Sequence, residues 1–369
     1  MKMLAKFGAL AILLSSGLLH QPSLASDFNL FNTPFQFTDT TDPIIRHQLQ
    51  LLAQAERKIN SLKNSYDFSP LVLKGRMLKV GDTSSLIIKI KQRLFLLGDF
   101  QNNHPDPVFD SALYQSILHF QNRNGLAPKG FVDRLFIHAL NMPLDTLLKK
   151  IKSNANKWEQ LSLYTDSVVL MVNIPDFILH VYEHGREVKK MKVIVGKPSH
   201  PTARFEGNLK YVVFCPYWNI PPGILKKEIF PEMAKHHGYL FSHHMEWHGN
   251  GIRQLPGKDN ALGDVKFLFP NRYHIYMHDT PIKNLFSQHK RAYSHGCIRL
   301  EDATWLAEFV MAKELGWDAS MVKEKMAKGK ESYHQLSESV RVLITYFTVW
   351  VDGGGELQIR DDLYHLDHE

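Results

Sequence analysis

The stretch YSHGCIRL, residues 293–300, decides how the rest of the chain is interpreted, because it sets one of only two cysteines beside a histidine, a glycine and an arginine. A cysteine attacks a carbonyl as its thiolate, which requires a nearby base or positive charge. The glycine before Cys297 leaves backbone room for that carbonyl. A second histidine, His278, lies upstream in YMHDT, residues 276–280. The two segments therefore predict a cysteine nucleophile and its base.

These segments resemble the signature of the L,D-transpeptidases, cysteine enzymes that cross-link bacterial peptidoglycan. That signature is a histidine, a gap of about fifteen residues, Ser/Thr-His-Gly-Cys and then an Asn or Arg two places on. The gap here is residues 279–293, and Arg299 fills the last position. The resemblance implies that the chain is an enzyme of this family.

The resemblance also implies roles for the residues of the motif. Cys297 would be the nucleophile and His278 the base that takes its proton. The main-chain carbonyl of Asp279 would orient the imidazole, with the Asp279 side chain as the alternative. Ser294 and His295 would order the loop through hydrogen bonds, and direct proton transfer by His295 is the other possibility.

The charge that develops on the substrate oxygen requires hydrogen-bond donors. The resemblance implies an oxyanion hole formed by the backbone amides around Gly296 and Cys297 together with the Tyr276 hydroxyl. Arg299 would either bind a substrate carboxylate or brace the loop.

The N-terminus has the layout of a cleavable secretory signal over residues 1–25, with two lysines and then an apolar run from Phe7 to Leu19. Ser26 would be the first mature residue, and a retained anchor is the alternative. Cleavage removes Lys2 and Lys6, which lowers Lys plus Arg from 44 to 42 against 37 Asp plus Glu and leaves a net charge of +5. No later segment is apolar for long enough to span a bilayer. We therefore expect an exported, periplasmic protein.

The mildly basic balance suits an acidic polymer such as a cell wall that bears carboxylates. The basic residues are dispersed along the chain, whereas nucleic-acid binding favours a clustered basic surface. The sequence therefore predicts no nucleic-acid partner.

An exported protein with two cysteines could join Cys215 to Cys297 in a disulfide, which would disable the proposed nucleophile. Cys215 ends the run YVVFC, residues 211–215, whose β-branched and aromatic residues are typical of a buried strand. A small thiol packs there as a hydrophobic group. We expect Cys215 to be buried and reduced.

The chain length and 44% hydrophobic content indicate two or three folded units. Apolar residues at helical spacing predict one helix from Asp42 to Ser65 within an N-terminal segment, 26–77. Three further helices are predicted over 78–145, with Asp110 as a cap and Leu135 and Leu140 on the third helix. Residues 146–160, polar and lysine-rich, are expected to be a connector.

The stretches FQNRNGL, residues 120–126, and FVD, residues 131–133, resemble the small three-helix peptidoglycan-binding domain of many wall enzymes. The usual Asp-Gly before the third helix is Lys129-Gly130 here. The alternative is that these helices only pack against the catalytic unit.

From residue 161 to 369 the sequence predicts the catalytic unit. Strand-like runs at 168–172, 177–182 and 191–195 are separated by tight turns, which implies antiparallel pairing. They resemble the first strands of the mostly β L,D-transpeptidase fold, so the expected class for the whole chain is α+β. The stretches PYWNIPPG, residues 216–223, and ALGDVKFLFPN, residues 261–271, resemble a larger periplasmic branch of the family that carries an insertion, here the lid, residues 224–260.

The lid is rich in histidine, at His236, His237, His243, His244 and His248. Such a density could bind zinc or respond to pH. It lacks a matching acidic or cysteine ligand at tight spacing, so we expect a solvated, mobile loop and no metal or other cofactor.

The predicted reaction is an attack by Cys297 on the third residue of a peptidoglycan stem peptide, release of the terminal D-alanine, and transfer to an amine of a neighbouring stem. This would form 3-3 cross-links. The acyl-enzyme could instead be resolved by water, as in an L,D-carboxypeptidase, or by an amine of a wall-attached protein. A wall-binding protein without activity and a zinc peptidase that uses the lid histidines are the other classes considered.

Overall fold

The computed structural model describes residues 42–102, 105–161 and 168–367, so the predicted signal peptide, 1–25, lies outside the described residues. Helices come first along the described chain and strands follow, which confirms the α+β class. The N-terminal helices are α1 (Pro43–Ser65), α2 (Ser85–Leu97), α3 (Ser111–Arg123), α4 (Arg134–Leu140) and α5 (Leu144–Glu159).

Helix α1 begins where the sequence predicts, because the Asp42 side chain accepts a hydrogen bond from the Ile44 amide at 2.8 Å. It packs with α5. Both helices share one hydrophobic cluster with residues of the strands that follow in the chain, including Met171 and Leu343. Residues 146–160, expected to be a connector, therefore lie in a packed helix whose apolar face includes Ile151.

Helices α2, α3 and α4 enclose a separate hydrophobic cluster. Asp110 caps α3, as the sequence predicts, and Gly98 ends α2 with a left-handed backbone. Helix α4 carries Leu135 and Leu140, as the sequence predicts; Leu140 is buried, whereas Leu135 is 64% exposed and Phe136 beside it is buried. The helix begins at Arg134, which turns position 135 toward solvent.

Helix α3 is tied to the C-terminal part of the chain by charged groups. The Asp99 carboxylate is buried and pairs with Arg123. His119 lies between Asp99, at 2.9 Å, and Glu356, at 2.7 Å. The hydrogen bond to Asp99 and the one to Glu356 raise the pKa of His119 despite its partial burial.

The catalytic unit is built on a nine-stranded sheet with the order β10-β3-β11-β9-β8-β4-β12-β1-β2, and β2 also pairs with β3, so the sheet curls back on itself. Antiparallel pairing of β1, β2 and β3 confirms the prediction from the tight turns. The strands of this sheet are β1 (Val168–Asn173), β2 (Ile178–Glu183), β3 (Arg186–Gly196), β4 (Phe205–Phe214), β8 (Val265–Leu268), β9 (Met277–His278), β10 (Ala292–Ser294), β11 (Ile298–Leu300) and β12 (Ser332–Thr345).

Two helices, α9 (Ala303–Leu315) and α10 (Ala319–Ala327), contribute to the core on one face of this sheet. Beyond β12, the strands β13 (Val349–Val351) and β14 (Leu357–Ile359) form a hairpin that packs in the cluster shared with α1 and α5. No described helix is both long and apolar enough to cross a membrane.

The lid is folded, which corrects the expectation of a mobile loop. One helical run, the lid helix, consists of α6 (Pro222–Ile224), a π-helical turn (Leu225–Ile229) and α7 (Phe230–Lys235). It precedes α8 (Tyr239–Ser242). Strands β5 (Trp218–Asn219), β6 (Met245–His248) and β7 (Gly251–Gln254) form a small sheet beside it. Ile220, Leu225, Ile229 and Ile252 give this substructure its own buried apolar cluster.

The two cysteines are both free. Cys215 is buried directly after β4, and its Sγ lies 3.1 Å from the Met326 carbonyl. This confirms the interpretation of Cys215 as a buried, reduced thiol.

Candidate active site

The register of two short strands brings the motif segments together. Strands β9 and β11 are parallel neighbours, with His278 opposite Arg299. The Ile298 amide donates to the Tyr276 carbonyl at 3.0 Å, so Cys297, which immediately precedes β11, lies alongside Tyr276. The structure therefore places the predicted nucleophile and the predicted base on adjacent segments of one sheet.

The Cys297 thiol is partly buried where the chain enters β11. Its burial raises the pKa, while hydrogen bonds from the Tyr276 amide and hydroxyl and the charge of Arg299 act in the opposite direction. The balance leaves the pKa above 9.0, the ordinary value for a thiol. Burial, followed by the nearby Cys297, raises the pKa of the Tyr276 hydroxyl, which therefore remains a proton donor.

The His278 imidazole is buried, and its Nδ1 lies 2.5 Å from the Asp279 carbonyl oxygen. A carbonyl only accepts hydrogen bonds, so Nδ1 carries the proton and Nε2 is left with its lone pair. Burial, with the positive charges of Arg299 and Lys266, lowers the pKa of His278 to about 3. The imidazole is therefore neutral at physiological pH.

The two cations flank His278 because of the sheet register. Arg299 on β11 and Lys266 on β8 both face His278 across neighbouring strands. Lys266 lies 3.6 Å from the Glu331 carboxylate. The buried Nε of Arg299 has no hydrogen-bond partner among the described residues. Sequence reasoning missed Lys266, because only the strand pairing brings it beside the histidine.

The nucleophile loop, residues 294–297, is braced from within by Ser294. The Ser294 hydroxyl accepts from the Gly296 amide at 3.1 Å and donates to the Cys297 carbonyl at 2.5 Å. The Gly296 amide is thus already hydrogen-bonded, which removes it from the oxyanion hole that the sequence predicted. Gly296 has a φ of 116°, a backbone conformation that favours glycine, so its contribution is to the shape of the loop.

A second brace comes from Thr202, which sequence reasoning did not identify. Its buried hydroxyl accepts from the Gly196 amide at 2.9 Å and donates to the Gly296 carbonyl at 2.8 Å. Gly196 ends β3, and the turn at residues 197–202 follows it. Thr202 joins that turn to the nucleophile loop.

The Asp279 side chain does not orient the imidazole. One carboxylate oxygen accepts from the Asp264 amide at 3.1 Å, and the other lies 2.6 Å from Lys283 Nζ. A Cβ atom at Gly263 would lie 2.2 Å from this carboxylate, so the turn before β8 requires glycine. The main-chain carbonyl of Asp279 contacts His278, while its side chain holds the residue to the Asp264 amide and to Lys283.

His295 points out of the nucleophile loop toward the lid. Its Nε2 lies 2.8 Å from the Glu228 carboxylate on the lid helix, and the His200 ring lies 5.1 Å away, centroid to centroid, in an edge-on arrangement. Among the described residues, no group of three or more potential ligands is arranged to hold a metal ion. Sequence reasoning missed Glu228 and His200 as neighbours of the loop.

Comparison with known proteins identifies a family model that matches the segment containing this site. Residues 167–327 match the model of the family YkuD, the L,D-transpeptidase catalytic domain. A curated Haemophilus influenzae protein named "Putative L,D-transpeptidase" is 28% identical over 295 residues, which are 73% of this chain and 59% of that protein. The chain thus spans less than two thirds of the length of this relative.

Two solved structures illustrate the structural comparison. An L,D-transpeptidase from Xylanimonas cellulosilytica is 16% identical, with a TM-score of 0.25, and the match covers 74% of this chain and 100% of that one. One from Stackebrandtia nassauensis is 14% identical, with a TM-score of 0.28 and coverage of 73% and 94%. The predicted nucleophile Cys297, directly before β11, and the predicted base His278 on β9 both lie inside residues 167–327, the segment that matches the L,D-transpeptidase catalytic domain.

Proposed function

We propose that the protein forms 3-3 cross-links in peptidoglycan, with Cys297 as the nucleophile and stem peptides as donor and acceptor. The observation that carries the proposal is the pairing of β9 with β11, which brings the Cys297 segment against the strand that carries His278, whose Nδ1 contacts the Asp279 carbonyl. A substrate of this kind lies outside the cytoplasm, so the proposed location is the periplasm, in contact with the cell wall.

The first half-reaction starts from a neutral thiol and a neutral imidazole. His278 Nε2 takes the thiol proton while the Cys297 sulfur attacks the carbonyl of the third stem residue. The Cys297 amide, which has no acceptor among the described residues, and the Tyr276 hydroxyl are the proposed donors to the developing oxyanion. The peptide C–N bond then breaks, His278 returns the proton to the departing amine, and D-alanine leaves a thioester on Cys297.

The second half-reaction resolves that thioester. An amine of a neighbouring stem attacks the carbonyl, the C–S bond breaks, and a proton from the nitrogen returns to the sulfur through His278. Water or an amine of a wall-attached protein would give a carboxypeptidase or an anchoring reaction with the same acyl-enzyme.

Arg299 is the proposed contact for a substrate carboxylate. Its charge lies close enough to Cys297 and His278 to shift both of their pKa values, and its Nε lacks a hydrogen-bond partner in the described part of the chain. A carboxylate that approached the thiol would satisfy this guanidinium. Loop bracing, the other predicted role, is already supplied by Ser294 and Thr202.

The helical region, residues 78–145, remains a proposed peptidoglycan-binding domain. It has its own hydrophobic cluster and is joined to the C-terminal hairpin through His119 and Glu356. A bound glycan strand would be held in a fixed relation to the catalytic unit.

The test is the intact mass of the mature protein after incubation with purified tetrapeptide muropeptides, for the wild type and Cys297→Ala, with chromatography of the products. A thioester adduct on the wild type alone, with dimeric muropeptides, supports the proposal. Trimmed monomers alone would establish hydrolysis, and the absence of any change dependent on Cys297 would leave a wall-binding protein.

A further inference from the structure

Three segments meet outside the Cys297–His278 pair. They are the turn at residues 197–202, the nucleophile loop and the lid helix. The turn is held to the loop because the Lys197 amide donates to the Ser294 carbonyl at 3.0 Å. The lid helix reaches the loop through Glu228, whose carboxylate lies 2.8 Å from His295 Nε2.

The charges at this meeting point are mostly basic. The charges that act on His200 come from His295, Lys197 and Lys227, and Glu228 is the single acidic group among them in the described chain. The Glu228 side chain is 49% exposed and His295 is 30% exposed, so a solute can reach this carboxylate. Its protein partner is a histidine two residues before Cys297.

The chemistry of the second half-reaction needs an anionic group of this kind. A primary amine has a pKa of about 10, so the acceptor arrives as an ammonium ion. A carboxylate is the side chain that binds an ammonium ion by charge and hydrogen bonds. Water, the competing acceptor, gains nothing from such a group.

We propose that Glu228 is the residue that binds the ammonium group of the acceptor, and that it thereby sets how the acyl-enzyme divides between an amine and water. The inference rests on the proposed function. The ammonium replaces His295 as the partner of Glu228 and loses one proton to bulk water. Its nitrogen then attacks the thioester carbonyl, the C–N bond forms, the C–S bond breaks, and the second proton passes through His278 Nε2 to the Cys297 sulfur.

This assignment makes Glu228 a positioning residue for the acceptor, distinct from the groups that form the acyl-enzyme.

The matched control is Glu232, one turn further along the lid helix. Glu232 is of similar exposure, at 39%, but pairs with Lys235 and His236 on its own helix. Neutralising it removes the same charge from the lid without touching the nucleophile loop.

The experiment incubates disaccharide-tetrapeptide monomers with wild type, Glu228→Gln, Glu228→Asp and Glu232→Gln. Dimers, trimmed tripeptide monomers and the D-alanine released in the first turnover are measured. We expect Glu228→Gln to lower the ratio of dimer to tripeptide at least tenfold and to raise the acceptor KM, with one D-alanine still released per Cys297. Glu228→Asp should recover part of the ratio, and Glu232→Gln should match the wild type.

An unchanged ratio in Glu228→Gln would overturn the inference. A parallel loss of first-turnover D-alanine and dimers would also overturn it, because the residue would then serve to hold the lid. If the wild type released no D-alanine and formed no adduct on Cys297, the proposed function itself would fail, which is a separate result.

Discussion

The resting state of the Cys297–His278 pair is open to a direct test by varying pH. The pKa of the thiol lies above 9.0 and that of the imidazole is about 3, so the two values differ by at least about 6 units. At about 1.4 kcal/mol per unit, moving the proton from sulfur to imidazole costs about 8 kcal/mol. Even if the two charges were in contact, at about 4 Å, their attraction would return only about 4 kcal/mol with an effective dielectric constant of about 20. The neutral thiol and neutral imidazole are therefore the expected resting state.

The assay is the rate of alkylation of Cys297 by iodoacetamide, followed by intact mass between pH 4 and pH 10, with Cys297→Ala to subtract any reaction of the buried Cys215. Only the thiolate reacts. We expect the rate to rise about tenfold per pH unit up to at least pH 9, because less than about 1% of the thiol is ionised at pH 7. A rate that stays constant from pH 5 to pH 8 would show a preformed ion pair and refute the reasoning.

Two variants separate the effects of His278 and Arg299 on the pH dependence of Cys297 alkylation. His278→Gln should leave the alkylation profile nearly unchanged, because a neutral imidazole does not stabilise a thiolate by charge. The same change should slow acylation by a tetrapeptide by about 10²- to 10⁴-fold, the usual contribution of a general base. Arg299→Gln should move the alkylation profile to higher pH, because the guanidinium lowers the thiol pKa.

Three other predictions follow from the packing. Ser294→Ala leaves the buried Gly296 amide and the partly buried Cys297 carbonyl without this partner, at up to about 1–3 kcal/mol each, and should slow first-turnover release of D-alanine at least about tenfold. Gly263→Ala should displace the Asp279 carboxylate and lower the same rate, whereas Gly353→Ala, which meets no atom within 4 Å, should not. Because the folded pKa of His119 is raised above 6.5, its stabilisation is complete below pH 6.5 and is lost as pH rises through that higher value. Thermal melts should therefore show a larger difference between wild type and His119→Gln at pH 6 than at pH 9.

The sequence was sufficient to single out the two segments of the candidate site because each motif is local. The proposed nucleophile and the proposed base each lie in one short segment, and the two segments become adjacent in the sheet. The helix that begins at Asp42 and the cap at Asp110 were predictable for the same reason, since a capping side chain acts within three residues. The use of the Asp279 main chain to orient the imidazole came from the family resemblance, and the observed contact agrees with it.

The residues that were missed act across long distances in the chain. Lys266 faces His278 only through the register of β8 against β9, and Glu228 reaches His295 only because the lid folds back over the loop. Composition also misled where polar residues dominate a segment. The many lysines of α5 drew attention away from the apolar face that packs on α1. The histidines of the lid likewise drew attention away from Leu225, Ile229 and Ile252, which form a small core with Ile220. A local hydrophobic pattern predicts which face of a helix or strand can be buried, but it does not predict which other element packs against that face.

The sheet register also has a consequence for catalysis. The cations on either side of His278 lower its basicity in the empty site, which works against a general base. A substrate carboxylate bound to Arg299 would neutralise one of these cations, and the stem would at the same time exclude water from the thiol. The first effect raises the pKa of the imidazole and the second favours direct proton transfer from sulfur to Nε2. The base would therefore reach its working strength only after the donor binds, and the thiol would stay unreactive until then.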